Sequence, residues 1–139
     1  MGHSGKIGPM DIAAPFALAV ADVVLTPDGP GPEQIVSGEP RTAGHVLHEV
    51  PAADGGRVIE RGIWEITPGV VTDVEADELF VVLSGRATIE IQGGPTLEVG
   101  PGDVAVLPEG AATRWTVHET LRKVYQLSYI PEEHAIIGA

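Results

Sequence analysis

The sequence predicts an all-β fold, a sandwich or barrel of many short strands. Three observations support this prediction. Glycine and proline are frequent, with 18 and 12 of the 139 residues, and they interrupt the chain at short intervals. After residue 40, short apolar runs alternate with turn residues at spacings of about 8–12 residues, which is typical of sheets closed by tight turns. No apolar period of helical type is sustained over several turns in the same region.

The apolar runs define the individual strands. Residues 86–91 alternate polar and apolar side chains, as expected of a strand with one buried face. Residues 79–83 are apolar without interruption, so we expect a second sheet, and also a subunit partner, to cover this strand on both faces. An early strand is predicted at 22–25 and a loop at 26–33. The other predicted strands are 43–50, 57–66, 96–99, 103–107, 113–118 and 122–129.

The chain length fits one domain with a single core. The first part is rich in glycine, proline and small residues, which is typical of a loop-rich segment. We therefore assign residues 1–36 to an N-terminal arm with the early strand, residues 37–130 to the barrel, and residues 131–139 to a C-terminal tail.

Charge and cysteine content narrow the classes of function. Eight basic residues against 20 acidic residues give a formal net charge of −12. Such a surface repels phosphate backbones and anionic lipid, so we expect no nucleic-acid partner and no membrane partner. The absence of cysteine excludes disulfides, thiolate metal ligands and a cysteine nucleophile.

The longest apolar stretch, residues 12–25, is too short for a membrane span and contains Pro15 and Asp22. It has some features of a signal peptide, since Lys6 precedes it and small residues precede Asp22. Asp11 and Pro15 argue against that interpretation. We predict a cytoplasmic protein, with secretion as the minority alternative.

An ordered set of motifs resembles one protein family. It comprises Gly62-Ile-Trp-Glu-Ile-Thr-Pro-Gly69, Asp77-Glu78-Leu-Phe-Val-Val-Leu-Ser-Gly85, Gly102-Asp103 with Pro108-Glu-Gly110, Trp115-Thr-Val117 and Arg122-Lys123-Val-Tyr125, with Ser37-Gly38-Glu39-Pro40 as a lead-in. The set resembles the cupin superfamily and, within it, the DUF861 group, also called (S)-ureidoglycine aminohydrolase-like or EutQ-like cupins. The resemblance covers residues 37–130. It implies a single-domain jelly-roll β-barrel (a double-stranded β-helix) that pairs as a homodimer.

The resemblance also implies a metal site, most of which this sequence lacks. Cupins usually carry two histidines and a glutamate in the first motif and a third histidine in the second. Here only the glutamate, Glu78, is in place, because residues 71–74 fill the histidine window and Thr113 the last position. Transition metals need several ligands converging on one point, so we expect no tightly bound cofactor. Asp73 and Glu78, with Glu65, leave an oxygen-rich site for Mg²⁺ or Ca²⁺ as an alternative to a metal-free cavity.

Glu78 is the predicted catalytic residue. The resemblance implies that it points into the barrel, where burial raises the pKa of a carboxyl group and suits it to general acid/base catalysis. Strand alternation places Phe80 on the same face. The neighbouring Asp73, Glu75 and Asp77 are interpreted as a solvated loop or outer face.

The remaining pocket residues follow from alternation on the other motif strands. Thr113 and Trp115 share one face, and the indole either stacks on a ligand or fills the core. Lys123 and Tyr125 also share a face, as pocket donors or, for Lys123, as a surface ion-pair partner. Trp64 and Glu65 lie on opposite faces, and we assign Glu65 to the pocket. The predicted substrate-binding residues are thus Glu65, Phe80, Thr113, Trp115, Lys123 and Tyr125.

Three functional hypotheses remain open. The first is a barrel that binds a small polar metabolite, such as an amino, ureido or carboxylate compound, and acts as a metal-independent hydrolase, isomerase or lyase through Glu78. The second is a non-catalytic ligand-binding or accessory domain. The third is a metal-assisted aminohydrolase. The sequence does not decide whether the chain is an enzyme.

Overall fold

The computed structural model describes residues 14–131. Across these residues nine strands form one strongly curled sheet. The strands are β1 (Thr26–Gly29), β2 (Ile35–Ser37), β3 (Thr42–Val50), β4 (Val58–Ile66), β5 (Gly69–Val74), β6 (Asp77–Ile91), β7 (Thr96–Val99), β8 (Val104–Leu107) and β9 (Ala112–Tyr129). Two short 3₁₀ turns, Val20–Asp22 and Pro32–Gln34, precede β1 and β2.

The two longest strands, β6 and β9, hold the barrel together. They pair antiparallel from Asp77 opposite Ser128 to Ile91 opposite Thr113. The other edge of β9 pairs with β4 along one half of its length and with β5 along the other half. The other edge of β6 pairs with β8 and β7 in the same way. Each of these two strands therefore has one half in each of two facing parts of the sheet. This arrangement is the predicted jelly-roll barrel.

The bend between the two halves of β6 lies at Gly85. The register against β9 shifts around this position, between Val82 and Ala87. Gly85 has a φ of +88°, and a Cβ atom there would lie 2.1 Å from the carbonyl oxygen of Thr120. Only glycine combines this backbone conformation with so close an approach of the two strands.

An apolar core fills the space between the two halves. Buried and more exposed side chains alternate along the strands. In β9, every second residue is buried from Thr113 to Val117 and again from Leu121 to Leu127. The buried apolar core side chains are those of Trp64, Ile66, Val71, Ala76, Phe80, Val82, Ala87, Ile89, Val99, Ala105, Leu107, Trp115, Val117, Leu121, Tyr125 and Leu127. Their removal from water is the main favourable contribution to folding.

Several strand predictions need correction. The predicted strands 79–83 and 86–91 are one continuous strand, β6, and 113–118 and 122–129 are likewise one strand, β9. Both pass through the corner without breaking, because a register shift absorbs the bend. The run 79–83 is not buried on both faces, since Leu79 is 46% exposed in the single chain.

The prediction for the start of the chain is also wrong in part. Residues 22–25 hold no strand: a 3₁₀ turn ends at Asp22 and extended chain follows. The expected loop 26–33 contains β1, which pairs with β3, and the next strand, β2, pairs with β5. The unpredicted β5 begins at Gly69 of the Pro68-Gly69 turn and contributes Val71 to the core. The strands β1 and β2 are short and mostly exposed, so their side chains give no periodic signal.

Parts of the sequence predictions lie outside the described residues. These are Lys6 and Asp11 of the apparent signal-peptide pattern, and the tail after residue 131. The boundaries of the three predicted segments stay predictions. Within residues 14–131, no helical segment has the length and apolarity needed to cross a membrane.

Candidate functional site

A buried ion pair lies near the centre of the barrel. Lys123 Nζ is 2.7 Å from Glu78 Oε2, and the side chain of each residue is 2% exposed. Glu78 comes from the first half of β6 and Lys123 from the second half of β9, on neighbouring strands. Burial raises the pKa of the Glu78 carboxyl above its ordinary value, while the charge and hydrogen bond of Lys123 act in the opposite direction.

Aromatic rings enclose the same ammonium group. Lys123 Nζ lies 4.4 Å from the ring centroid of Phe80, 4.5 Å from Trp64, 5.1 Å from Trp115 and 5.9 Å from Tyr125. Cation–π attraction at these distances stabilises a desolvated ammonium. The chain's own lysine therefore occupies the aromatic centre of the barrel, next to the glutamate of the first motif.

A second buried carboxylate, Glu75, organises the wall beside the ion pair. Its Oε2 accepts a hydrogen bond of 2.6 Å from the Thr113 hydroxyl and one of 3.2 Å from the Trp115 indole N–H. Glu75 is only 5% exposed. The interpretation of Glu75 as a solvated residue is wrong, because the connection between β5 and β6 turns its side chain inward.

Asp73 lies on the same side of the barrel and is half-buried. Its pKa is raised from 3.8 to about 8, first by burial and then by the negative charge of Glu75, against the smaller effects of the Val74 N–H and Lys123. A carboxyl group with this pKa carries a proton at neutral pH and can exchange it near pH 8.

These groups meet at a cavity of about 80 Å³. Trp64, Trp115 and Ile66 provide apolar wall, and Lys123 is its cationic group. The lining is completed by Asp28, Pro30, Gln34, Thr42, Val71, Asp73 and Glu75. Glu78 is not part of this lining, although it is hydrogen-bonded to Lys123, which is.

A wider groove opens next to the cavity. Its volume is about 700 Å³, and Gln34 and Asp73 line both spaces. Thr113 lines the groove rather than the cavity, together with Glu90 and Arg114. Asp73 therefore stands between the enclosed cavity and the open groove.

The structure exchanges the predicted positions of Trp64 and Glu65. The two side chains do lie on opposite faces of β4, as alternation requires, but Trp64 lines the cavity. Glu65 pairs instead with Arg122, with Oε1 3.1 Å from Nε, and both side chains are partly exposed. The prediction that Glu65 lies in the pocket is therefore wrong.

Phe80 and Tyr125 contribute through Lys123 rather than through the cavity wall. Both are buried, and their rings pack around the ammonium. The Tyr125 hydroxyl donates a 2.7 Å hydrogen bond to Glu60 Oε2. Burial, followed by this bond, raises the pKa of the phenol above its ordinary value.

The two carboxylates considered as candidate cation ligands have different partners. Asp73 lines the cavity, whereas Glu78 accepts a hydrogen bond from Lys123. Within residues 14–131, no group of three or more His, Cys, Asp or Glu side chains is arranged to hold a metal ion.

A jelly-roll barrel with a polar pocket at its centre defines the chain as a cupin. It belongs to the family of the EutQ-like cupin domain, whose family model matches residues 53–125. This confirms the cupin resemblance and the DUF861 branch within it.

Solved structures show the same relationship. A DUF861-family protein of unknown function from Pseudomonas syringae is 28% identical, with a TM-score of 0.66 over 76% of this chain and 45% of its own. This chain therefore spans less than half of that protein. EutQ of Clostridium difficile, at 15% identity, superposes with a TM-score of 0.60 over 83% of this chain and 87% of its own.

A third structure, a putative ethanolamine utilization protein Q from Salmonella typhimurium, is 18% identical, with a TM-score of 0.50 over 63% of this chain and 68% of its own. The last two likenesses concern the fold alone. No curated protein sequence matches the chain.

Proposed function

We propose that the chain binds a small polar metabolite in the barrel cavity and acts on it as a metal-independent acid/base enzyme. One observation carries this proposal. Lys123 lines the cavity, and its Nζ donates a 2.7 Å hydrogen bond to Glu78, which does not line it. A cation fixed in a water-poor site is suited to binding an oxygen atom that carries or develops negative charge.

The cavity lining suggests the chemistry of the ligand. Asp28, Asp73 and Glu75 offer oxygen atoms to N–H or O–H groups, and Trp64 and Trp115 offer apolar faces. A volume of about 80 Å³ compares with roughly 10–15 Å³ for a single water molecule. The ligand is thus a compound of a few heavy atoms with amino, ureido or hydroxyl donors and one carbonyl or carboxylate oxygen.

The acid/base role in this proposal moves from Glu78 to Asp73. Asp73 lines the cavity, and its pKa of about 8 lets it give or take a proton near neutral pH. Glu78 contacts Lys123 and acts through it, so its role is to position the cation. The predicted groups Phe80, Trp115 and Tyr125 enclose that cation.

Thermal-shift screening against small amino, ureido and hydroxy acids tests the binding site. A ligand that binds only the folded chain raises its melting temperature in proportion to the logarithm of concentration. We expect the shift to disappear in Lys123→Met and to persist in Arg114→Met, where the side chain is exposed in the outer groove. An equal shift in Lys123→Met and the native sequence would place the ligand elsewhere.

Incubation of that ligand with the protein, followed by one-dimensional NMR, separates an enzyme from a binding domain. The proposal expects product signals that disappear in Asp73→Asn. A ligand recovered unchanged would favour the non-catalytic alternative.

We also propose that a second copy of the chain covers the outer face of β6 and β8. Val104 and Val106 are 61% and 62% exposed, and β6 places Val81 and Leu79 directly opposite them. Within residues 14–131, β8 pairs only with β6, so its other edge offers free main-chain groups. An apolar patch on a free edge strand favours association with another sheet, and identical patches meet in a two-fold dimer.

Light scattering after gel filtration tests the dimer. We expect Val106→Asp to shift the mass from dimer to monomer and Val46→Asp to leave it unchanged, since Val46 is exposed on β3 away from this patch. A native chain that elutes as a monomer overturns the proposal. The cytoplasmic location stays a prediction of the sequence.

A further inference from the structure

Lys123 is a primary amine enclosed at the wall of a cavity. Its side chain is 2% exposed, yet it lines the cavity together with Trp64 and Trp115. The sequence contains one other lysine, Lys6. This amine is shielded from bulk water and lies at the wall of a cavity of ligand size, whereas an ordinary surface lysine is hydrated.

Glu78 gives the buried ammonium a route to its neutral, nucleophilic form. The 2.7 Å hydrogen bond to Glu78 is a direct route for a proton from nitrogen to carboxylate. The transfer turns a buried ion pair into two neutral groups, so it leaves no uncompensated charge in the apolar shell. Lysines in apolar pockets act as nucleophiles towards carbonyl compounds for this reason.

We propose that Lys123 forms a Schiff base with a small aldehyde or ketone held in the cavity. The proposal rests on the cavity being the ligand site described under Proposed function. It deepens that function by naming the substrate as a carbonyl compound and the bond as covalent.

The step balances with groups of this chain alone. Glu78 takes a proton from the Lys123 ammonium, and the nitrogen lone pair forms a C–N bond as the carbonyl π bond breaks. The oxygen takes a proton from Asp73, and the nitrogen returns one to it, giving a neutral carbinolamine. Asp73 then protonates the hydroxyl group, the C–O bond breaks, and water leaves. The product is an iminium ion whose charge the Asp73 carboxylate balances.

The site also protects such a bond and selects its carbonyl compound. Exclusion of water by Trp64, Phe80 and Trp115 slows hydrolysis of an imine. Asp28 and Glu75 surround the remainder of the ligand with carboxyl oxygens. Carbonyl compounds that also carry a hydroxyl or amino group offer hydrogen-bond donors to these oxygens.

Reductive trapping tests the proposal with glycolaldehyde as the probe. The native protein is incubated with glycolaldehyde and cyanoborohydride, and peptides containing Lys123 and Lys6 are quantified by mass spectrometry. We expect Lys123 to be labelled at least about tenfold faster than Lys6, because the cavity holds the two reactants together. In urea this preference should vanish, so the unfolded chain is an internal control that needs no variant.

The mutant control is Lys123→Arg, which keeps a cation and removes the amine. It should lose the fast label and retain labelling of Lys6. Labelling of native Lys123 at or below the rate of Lys6 would overturn the proposal, whether or not the variant folds.

The same samples separate this inference from the function on which it rests. Thermal stabilisation by small ligands that requires Lys123, without a reduced adduct, leaves the binding site standing and overturns the Schiff base. Absence of both stabilisation and adduct overturns both. A fast adduct at Lys123 supports both, because the aldehyde must then reach the cavity.

Discussion

Lys123 Nζ and Glu78 Oε2 lie 2.7 Å apart in the interior of the barrel, where each side chain is 2% exposed. The two residues are on adjacent strands, and the rings of Trp64 and Phe80 pack against the Lys123 ammonium. A charge pair in such surroundings stabilises the fold only while both members are present, since either one alone is left without compensation.

The first prediction concerns removal of one member of this pair. Lys123→Met leaves the Glu78 carboxyl buried without its cation, and we expect a loss of about 3–5 kcal/mol in the free energy of unfolding. The double variant Lys123→Met/Glu78→Leu should recover most of this loss, because the charge disappears with its partner. Urea denaturation measures both values.

A surface pair provides the matched control. Arg114 and Glu90 form a 3.9 Å ion pair with both side chains more than half exposed. Arg114→Met should change the free energy of unfolding by less than about 1 kcal/mol. Equal losses at the two sites would mean that Lys123 is hydrated in solution.

The second prediction concerns the hydrogen bonds of Glu75. Glu75→Leu leaves the Trp115 indole N–H without its acceptor and leaves the Thr113 hydroxyl only its longer, 3.4 Å bond to the Asp73 carbonyl oxygen. A lost buried acceptor costs about 1–3 kcal/mol. Chemical denaturation measures the loss. Glu98→Leu is the control, since Glu98 accepts from Thr88 at an exposed position where water replaces it. Little change in Glu75→Leu would contradict the buried position of this carboxylate.

The third prediction compares two glycines with positive φ. Gly85→Ala places a Cβ atom 2.1 Å from the Thr120 carbonyl oxygen, so the corner of β6 must move. We expect a loss of more than about 4 kcal/mol or failure to fold. Gly93→Ala meets nothing within 4 Å, so only the backbone conformation costs energy, about 1–2 kcal/mol. Equal melting temperatures of the two variants would contradict the close approach.

The fourth prediction is a pH dependence from Asp73. An unfolded Asp releases its proton near pH 3.8, whereas the folded chain holds it to about pH 8. Between these values the folded state binds more protons, so the free energy of unfolding falls as pH rises and then levels above about pH 8. The groups that act on Asp73 are Glu75, Lys123 and Glu78.

Asp73→Asn removes this titration and keeps the shape of the side chain. We therefore expect the variant to gain stability over the native chain as pH rises from about 5 to about 9. Urea denaturation across that range measures the difference. A constant difference would show that Asp73 titrates normally in the folded protein.

The sequence predicts the barrel and part of the site because both depend on alternation within strands. Glu78, Thr113, Trp115 and Lys123 are all buried on the inner face, as the period of two residues requires. Alternation does not distinguish Trp64 from Glu65, since either side chain suits a polar pocket. The outward ion pair of Glu65 with Arg122 comes from a distant strand and has no local signal.

Strand alternation does not predict the positions of Glu75 and Asp73, for a different reason. Glu75 lies in the connection between β5 and β6. Its N–H donates to the carbonyl oxygen of Ala111, and its own carbonyl oxygen accepts from the N–H of Gly110, both in the connection between β8 and β9. Strand alternation does not apply to such a residue. The sequence does not predict β5, the six-residue strand that contains Asp73, so alternation assigns this residue no face.

One continuous strand, β9, carries both Thr113 and Trp115 in one half of the barrel and Lys123 and Tyr125 in the other. The position of the cation therefore depends on the number of residues between the two halves. Deletion of a single residue around Glu119 would present Arg122 and Val124 to the interior and turn the lysine outward. An odd change of length within this strand would thus remove the lysine from the interior while the main-chain ladder still formed.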